Sequence, residues 1–163
     1  MHAFRLVTGR LRHDTSGLSS LELALTLPVL LMMVFGLIEF GYNLFARTTV
    51  DKAALIGARY AVTGQGFDDG TRHARIVQEA RRLTGVLAGS SPQSVTVTIG
   101  SIAAGAGDDA LIEGDAGLPC DRVQVRVEYR YTPVTPVVGS LLGPEITVQG
   151  IERMINEPWV ACR

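Results

Sequence analysis

Cysteine, histidine and surplus charge are all scarce in this chain, and each scarcity removes a class of function. Two cysteines, Cys120 and Cys162, stand far apart and form no Cys-x-x-Cys pair, so zinc-ribbon and thioredoxin-type chemistry lacks its ligands. Past His2 and His13 the one histidine is His73, and no His-x-x-x-His spacing occurs. Lysine and arginine number 15 against 16 acidic residues, a net charge of -1, which leaves no basic footprint for nucleic acid. Gly64-Gln-Gly-Phe-Asp-Asp-Gly70 follows no strand pattern and lacks the dinucleotide fingerprint. No catalytic set, cofactor or metal site is expected, and the chain reads as a non-enzyme.

Charge is also missing from one long stretch. From Leu21 to Ile38 only Glu22 ionises. About eighteen residues at ~1.5 Å each give roughly 27 Å of helix, most of a hydrocarbon core of ~30 Å. A chain of 163 residues could not hide every side of such a rod, so the stretch reads as a single membrane-spanning helix. Arg5, Arg10 and Arg12 precede it with only Asp14 opposing them, which holds the N-terminus in the cytoplasm. Everything beyond about Arg47 then lies across the membrane, in the periplasm of a bacterium. The apolar run continues through Phe40, Tyr42, Leu44 and Phe45 with no Ala-x-Ala site, so a retained anchor is expected rather than a removable signal.

Two residues in the span need a physical account. A lone carboxylate in lipid costs several kcal/mol unless paired or neutralised, so Glu22 either lies in the headgroup zone or finds a partner. Pro28 removes a backbone donor and is expected to kink or loosen the helix. Gly17 closes a short basic leader, and a cut after it would make Leu18 the new N-terminus with Glu22 at the fifth position. That is the substrate pattern of a prepilin peptidase. The new α-ammonium and the carboxylate of a neighbouring helix could then pair inside an assembly, where an unpaired charge is heavily penalised.

The run Ser16-Gly-Leu-Ser-Ser-Leu-Glu-Leu-Ala-Leu-Thr-Leu-Pro-Val-Leu-Leu, followed by Phe35-Gly-Leu-Ile-Glu-Phe-Gly, resembles the TadE-like family of minor pseudopilins from tight-adherence (Flp-type) pilus systems. The shared pattern is a small residue and glycine before the helix, then Glu-x-Ala-Leu-x-Leu-Pro, then an acidic-aromatic pair, here Glu39-Phe40. The strong match covers roughly Gly17 to Arg59. The resemblance implies processing at Gly17 and Leu18, and assembly roles for Glu22, Pro28, Glu39 and Phe40. It also implies prepilin peptidase, other pilus subunits, inner-membrane assembly proteins and the lipid bilayer as partners.

Beyond the span the helix is expected to run on to Val62, its apolar side passing through Leu44, Val50, Ala54, Ala58 and Ala61 or Val62, with Gly64 and Gly66 ending it. Small residues at Gly36, Gly41, Ala54, Gly57 and Ala58 either permit a close helix contact or are simply tolerated. Thr71 to about Ala88 reads as an amphipathic helix ringed by Arg72, Arg75, Glu79, Arg81 and Arg82, a solvated face or one that meets lipid headgroups or a partner. His73 is expected on its surface. Strands are predicted over 94–100, 121–132 and 145–155, the middle one with Val123, Val125, Val127, Tyr129 and Tyr131 on its packed face. Ser101 to Pro119 is read as a mobile acidic loop, without the oxygen-ligand spacing of a calcium site. Val137, Val138, Leu141 and Leu142 rest on the membrane surface or form a short helix. Cys120 and Cys162 form a disulfide across an oxidising compartment or remain two thiols.

The expected fold is α+β. A long transmembrane helix extends into the periplasm and, with a second amphipathic helix, covers a small antiparallel three-stranded sheet. The expected divisions are a cytoplasmic leader (1–17), a transmembrane helix (18–46) and a periplasmic head (47–163). The expected role is a minor pseudopilin in the bacterial inner membrane or at the base of a pilus. The alternative is an unprocessed bitopic protein whose head is a protein-binding module.

Overall fold

The computed structural model describes residues 16–91 and 93–162; the leader arginines Arg5, Arg10 and Arg12, with Asp14, lie outside them. One unbroken helix, α1 (Ser16–Val62), dominates. It passes through Pro28 without interruption, because a proline deletes one donor while the apolar residues on both sides keep their own helical bonds. Exposure divides the helix in two. From Gly17 to Val34 every side chain is exposed, whereas Glu39, Ala46, Val50, Ala53, Ala54, Ala58 and Ala61 are buried. The buried stripe is mostly alanine, which lets α1 lie close on the sheet; Leu44, expected on that side, is exposed instead.

The helix α2 (Arg72–Thr84) is shorter than expected and buries Ile76 and Ala80 against α1 and the sheet. The sheet has four antiparallel strands rather than three, ordered β2-β1-β3-β4: β1 (Val95–Ile102), β2 (Ile112–Glu113), β3 (Arg122–Tyr131) and β4 (Ile146–Ile155). A short helix, α3 (Pro136–Leu142), joins β3 to β4. The period-two pattern of β3 acts as predicted: Val123, Val125, Val127, Tyr129 and Tyr131 are all buried beneath the helices. Where β4 passes α1, the partner of Val127 is Gly150. A Cβ there would meet the Val50 carbonyl and the Asp51 backbone at 2.6–2.7 Å, so only glycine admits this approach.

The extra strand comes from the segment expected to be mobile. Asp108 accepts from Arg122 at 2.7 Å and from Arg153 at 2.8 Å, tying the segment to β3 and β4. Asp115 accepts from Ser101 and from the Gly117 amide, and Ala116 is buried. The charged residues read from sequence as solvated therefore staple the segment down.

Arg72 departs furthest from its expected place. It is 6 % exposed and donates to the carbonyls of Ala61, Ala116 and Gly117, with its guanidinium 4.7 Å from the centre of the Trp159 ring. Burial lowers its pKa from the ordinary value, and Asp115 partly offsets this. Asn156 donates to Ala116 and Leu118, and the Glu157 amide donates to Val62. Arg72 and the C-terminal tail thus close the head at the end of α1 remote from the apolar span.

Candidate anchoring and assembly site

Of the expected processing and assembly residues, Gly17, Leu18, Glu22 and Pro28 lie along the exposed half of α1, and Glu39 and Phe40 stand at its end. Among the described residues a Cβ added at Gly17 would meet nothing within 4 Å, and Leu18 is 58 % exposed. Glu22 is exposed, and its backbone carbonyl accepts from the Thr26 hydroxyl at 2.9 Å. The most apolar stretch of α1 has none of its length buried inside the molecule. The core helix of a soluble domain would be covered, so the exposed surface of this one calls for an outside solvent that is itself apolar.

Glu39 stands where that surface ends. It is 5 % exposed, and its Oε2 accepts from the backbone amide of Thr135 at 3.0 Å and from the Thr135 hydroxyl at 3.2 Å. Thr135 immediately precedes α3, so the carboxylate fastens the β3–β4 connection to the helix across 96 positions of sequence. Its Oε1 is buried without a hydrogen-bond partner among the described residues. The Tyr131 hydroxyl stands nearby and accepts from Asn43 at 3.1 Å. Burial first, then Glu39 and Tyr42, outweigh that hydrogen bond and raise the Tyr131 pKa. Phe40, the neighbour of Glu39, is 67 % exposed. The acidic-aromatic pair therefore splits its duties, with the acid turned into the head and the ring left outside.

A tyrosine cluster lies next along α1. Tyr42 and Tyr129 hydroxyls are 2.9 Å apart; Tyr129 donates to the Ala88 carbonyl, and the Ala88 amide donates to Tyr42 at 3.0 Å. Burial, followed by the Tyr42 hydrogen bond, raises the Tyr129 pKa. Sequence reading missed this network and the Thr135 contact. Residues 42, 88 and 129 show no common spacing, and the one available signal was tyrosine on the packed face of β3, where a buried hydroxyl must find a partner.

At the remote end, the turn before β3 and the C-terminal tail bring Cys120 and Cys162 together, with Cα atoms 5.8 Å apart, a separation a disulfide spans. Among the described residues no group of three or more His, Cys, Asp or Glu side chains is placed to hold a metal ion. His73 is exposed on α2, as its helical position predicts.

Comparison with known proteins bears on α1. Residues 17–59 match the family model described as TadE-like protein. The matched segment takes in the exposed rod, Glu22, Pro28, the Glu39-Phe40 pair and most of the alanine stripe. Among the described residues one helix is long and apolar enough to cross a membrane, and the TadE-like segment lies on it, which fits a single-pass membrane protein associated with a tight-adherence pilus system. No curated protein and no solved structure matches the chain.

Proposed function

We propose that this protein is a membrane-anchored, minor pseudopilin-like subunit that acts in assembly of a tight-adherence pilus and is cut by prepilin peptidase after Gly17. The observation that carries the reading is a TadE-like segment whose first half is an apolar helix with no cover inside the molecule. The rod sits in the inner membrane with its leader in the cytoplasm and its head in the periplasm, and its role is structural rather than catalytic. Cutting after Gly17 leaves an α-ammonium on Leu18, and Glu22 of a neighbouring subunit supplies the compensating carboxylate once the helices bundle. Pilus subunits and inner-membrane assembly proteins are its partners. We read Cys120 and Cys162 as a disulfide that secures the remote end of the head.

The test is the mass and N-terminal sequence of the membrane-extracted protein from a piliated host, alongside Gly17→Val. Among the described residues nothing packs against Gly17, so this variant alters the cleavage signal and leaves the packed head as it is. The expected result is a wild-type chain beginning at Leu18 and a variant that keeps its leader and fails to support piliation. A wild-type chain that retains Met1 would favour the unprocessed, partner-binding reading. Glu22→Ala is expected to insert normally and to impair assembly.

A further inference from the structure

We infer that the head rests directly on the bilayer, with α3 and the turn before it lying in the lipid interface as a second membrane contact. The inference builds on the proposed membrane anchoring of α1. From Tyr131 to Pro144 the chain carries no ionisable side chain except Tyr131 itself. Two apolar residues of this stretch face outward, Val134 at 52 % exposure and Leu141 at 76 %. Unsupported, such side chains on a loop and a seven-residue helix would simply meet water.

Their position argues otherwise. Glu39 fixes Thr135 to α1 one residue beyond Ile38, so α3 is held at the level where the exposed rod stops. Leu37, Ile38 and Phe40 are exposed at that same level, which makes the surface of α3 continuous with the lipid-facing surface of α1. Between the two runs a largely apolar groove of about 430 Å³, walled by Gly36, Glu39, Phe40, Tyr131, Val138 and Ile146. Both hydrogen bonds from Thr135 end on Oε2 of Glu39, which is 5 % exposed, so the polar atoms of the clamp turn inward to each other. The occupant of this face is the bilayer interface itself, with α3 across the headgroup–acyl boundary and Phe40 beside it.

The test uses the full chain, one copy per lipid nanodisc, with phospholipids brominated high on the acyl chain as a contact quencher of tryptophan. Leu141→Trp reports α3, Met32→Trp the rod, and Gln78→Trp the exposed side of α2; all three replaced side chains are exposed, so none disturbs the core. The native Trp159 lies at the remote end of the head, beside Gly64, and serves as the common background. The expected result is about twofold or greater quenching of the added emission for Leu141→Trp and Met32→Trp and none for Gln78→Trp, as an interfacial helix seated ~5–10 Å deep requires. Quenching of Met32→Trp without Leu141→Trp overturns this inference and leaves the anchor standing. Quenching of neither overturns the anchor and this contact together. Loss of Leu141→Trp quenching when a second copy enters the disc assigns the face to another subunit and also overturns it.

Discussion

Arg72 gives the sharpest test of how the head is held together. Replacing it with methionine keeps most of the buried volume and removes every donor, leaving the three carbonyls to fend for themselves. Two retain other partners: Ala61 still accepts from the Gly64 amide at 3.3 Å, and Ala116 from Asn156 at 3.0 Å. The Gly117 carbonyl loses the guanidinium that reaches it at 2.6 Å. A buried carbonyl left unpaired costs about 1–3 kcal/mol, and the lost stacking on Trp159 adds roughly 0.5–2 kcal/mol. The expected destabilisation is therefore about 1.5–5 kcal/mol, a fall of roughly 5–20 °C in Tm for a head of this size. Arg72→Lys should lose nearly as much, since one ammonium cannot reach carbonyl acceptors spread over two segments of the chain. The assay is thermal unfolding of the full chain in detergent by circular dichroism, with Trp159 fluorescence as a local probe. Arg82→Met, at a guanidinium that is 81 % exposed, is the control and should stay within about 0.5 kcal/mol of wild type. If Arg72→Met unfolds with the control, the carbonyl clamp is not what closes the head.

Three further outcomes follow from the packing. Gly150→Ala puts a methyl against the backbone of Val50 and Asp51, which cannot rotate away, and should destabilise by about 1–3 kcal/mol; chemical denaturation of the full chain in detergent measures it. Tyr129 is favoured in its neutral form by burial, so its contribution is intact below its ordinary pKa of 10.0 and declines as pH rises beyond it, because the unfolded chain ionises first. Tyr129→Phe should shift the alkaline unfolding curve by removing that dependence, and a wild-type curve flat above pH 10 would contradict the assignment. Reducing the proposed Cys120–Cys162 bond, which spans 42 positions, should lower stability by about 4 kcal/mol in the loop-entropy account, read as a Tm difference with and without reductant.

The sequence by itself determined the rod, the packed face of β3 and the overall α+β class. Each of these rests on a pattern within one element: an uncharged run longer than any core can hide, alternation at period two, apolar spacing near 3.6. The acidic-aromatic pair and the glycine–glutamate spacing were legible for the same reason, being short and contiguous. Only the tertiary structure decided where charge ends up. Arg72 and Arg82 belong to the same amphipathic helix, yet the first is sealed under Trp159 and the second is bare, because Arg72 alone lies where the end of α1, the 116–117 turn and the tail converge. Likewise Glu39 is buried by a threonine 96 positions away, and two residues of an acidic loop become a strand because β1 leaves an edge for them. The side on which a polar group falls depends on which distant backbone arrives beside it, and no local periodicity records that arrival.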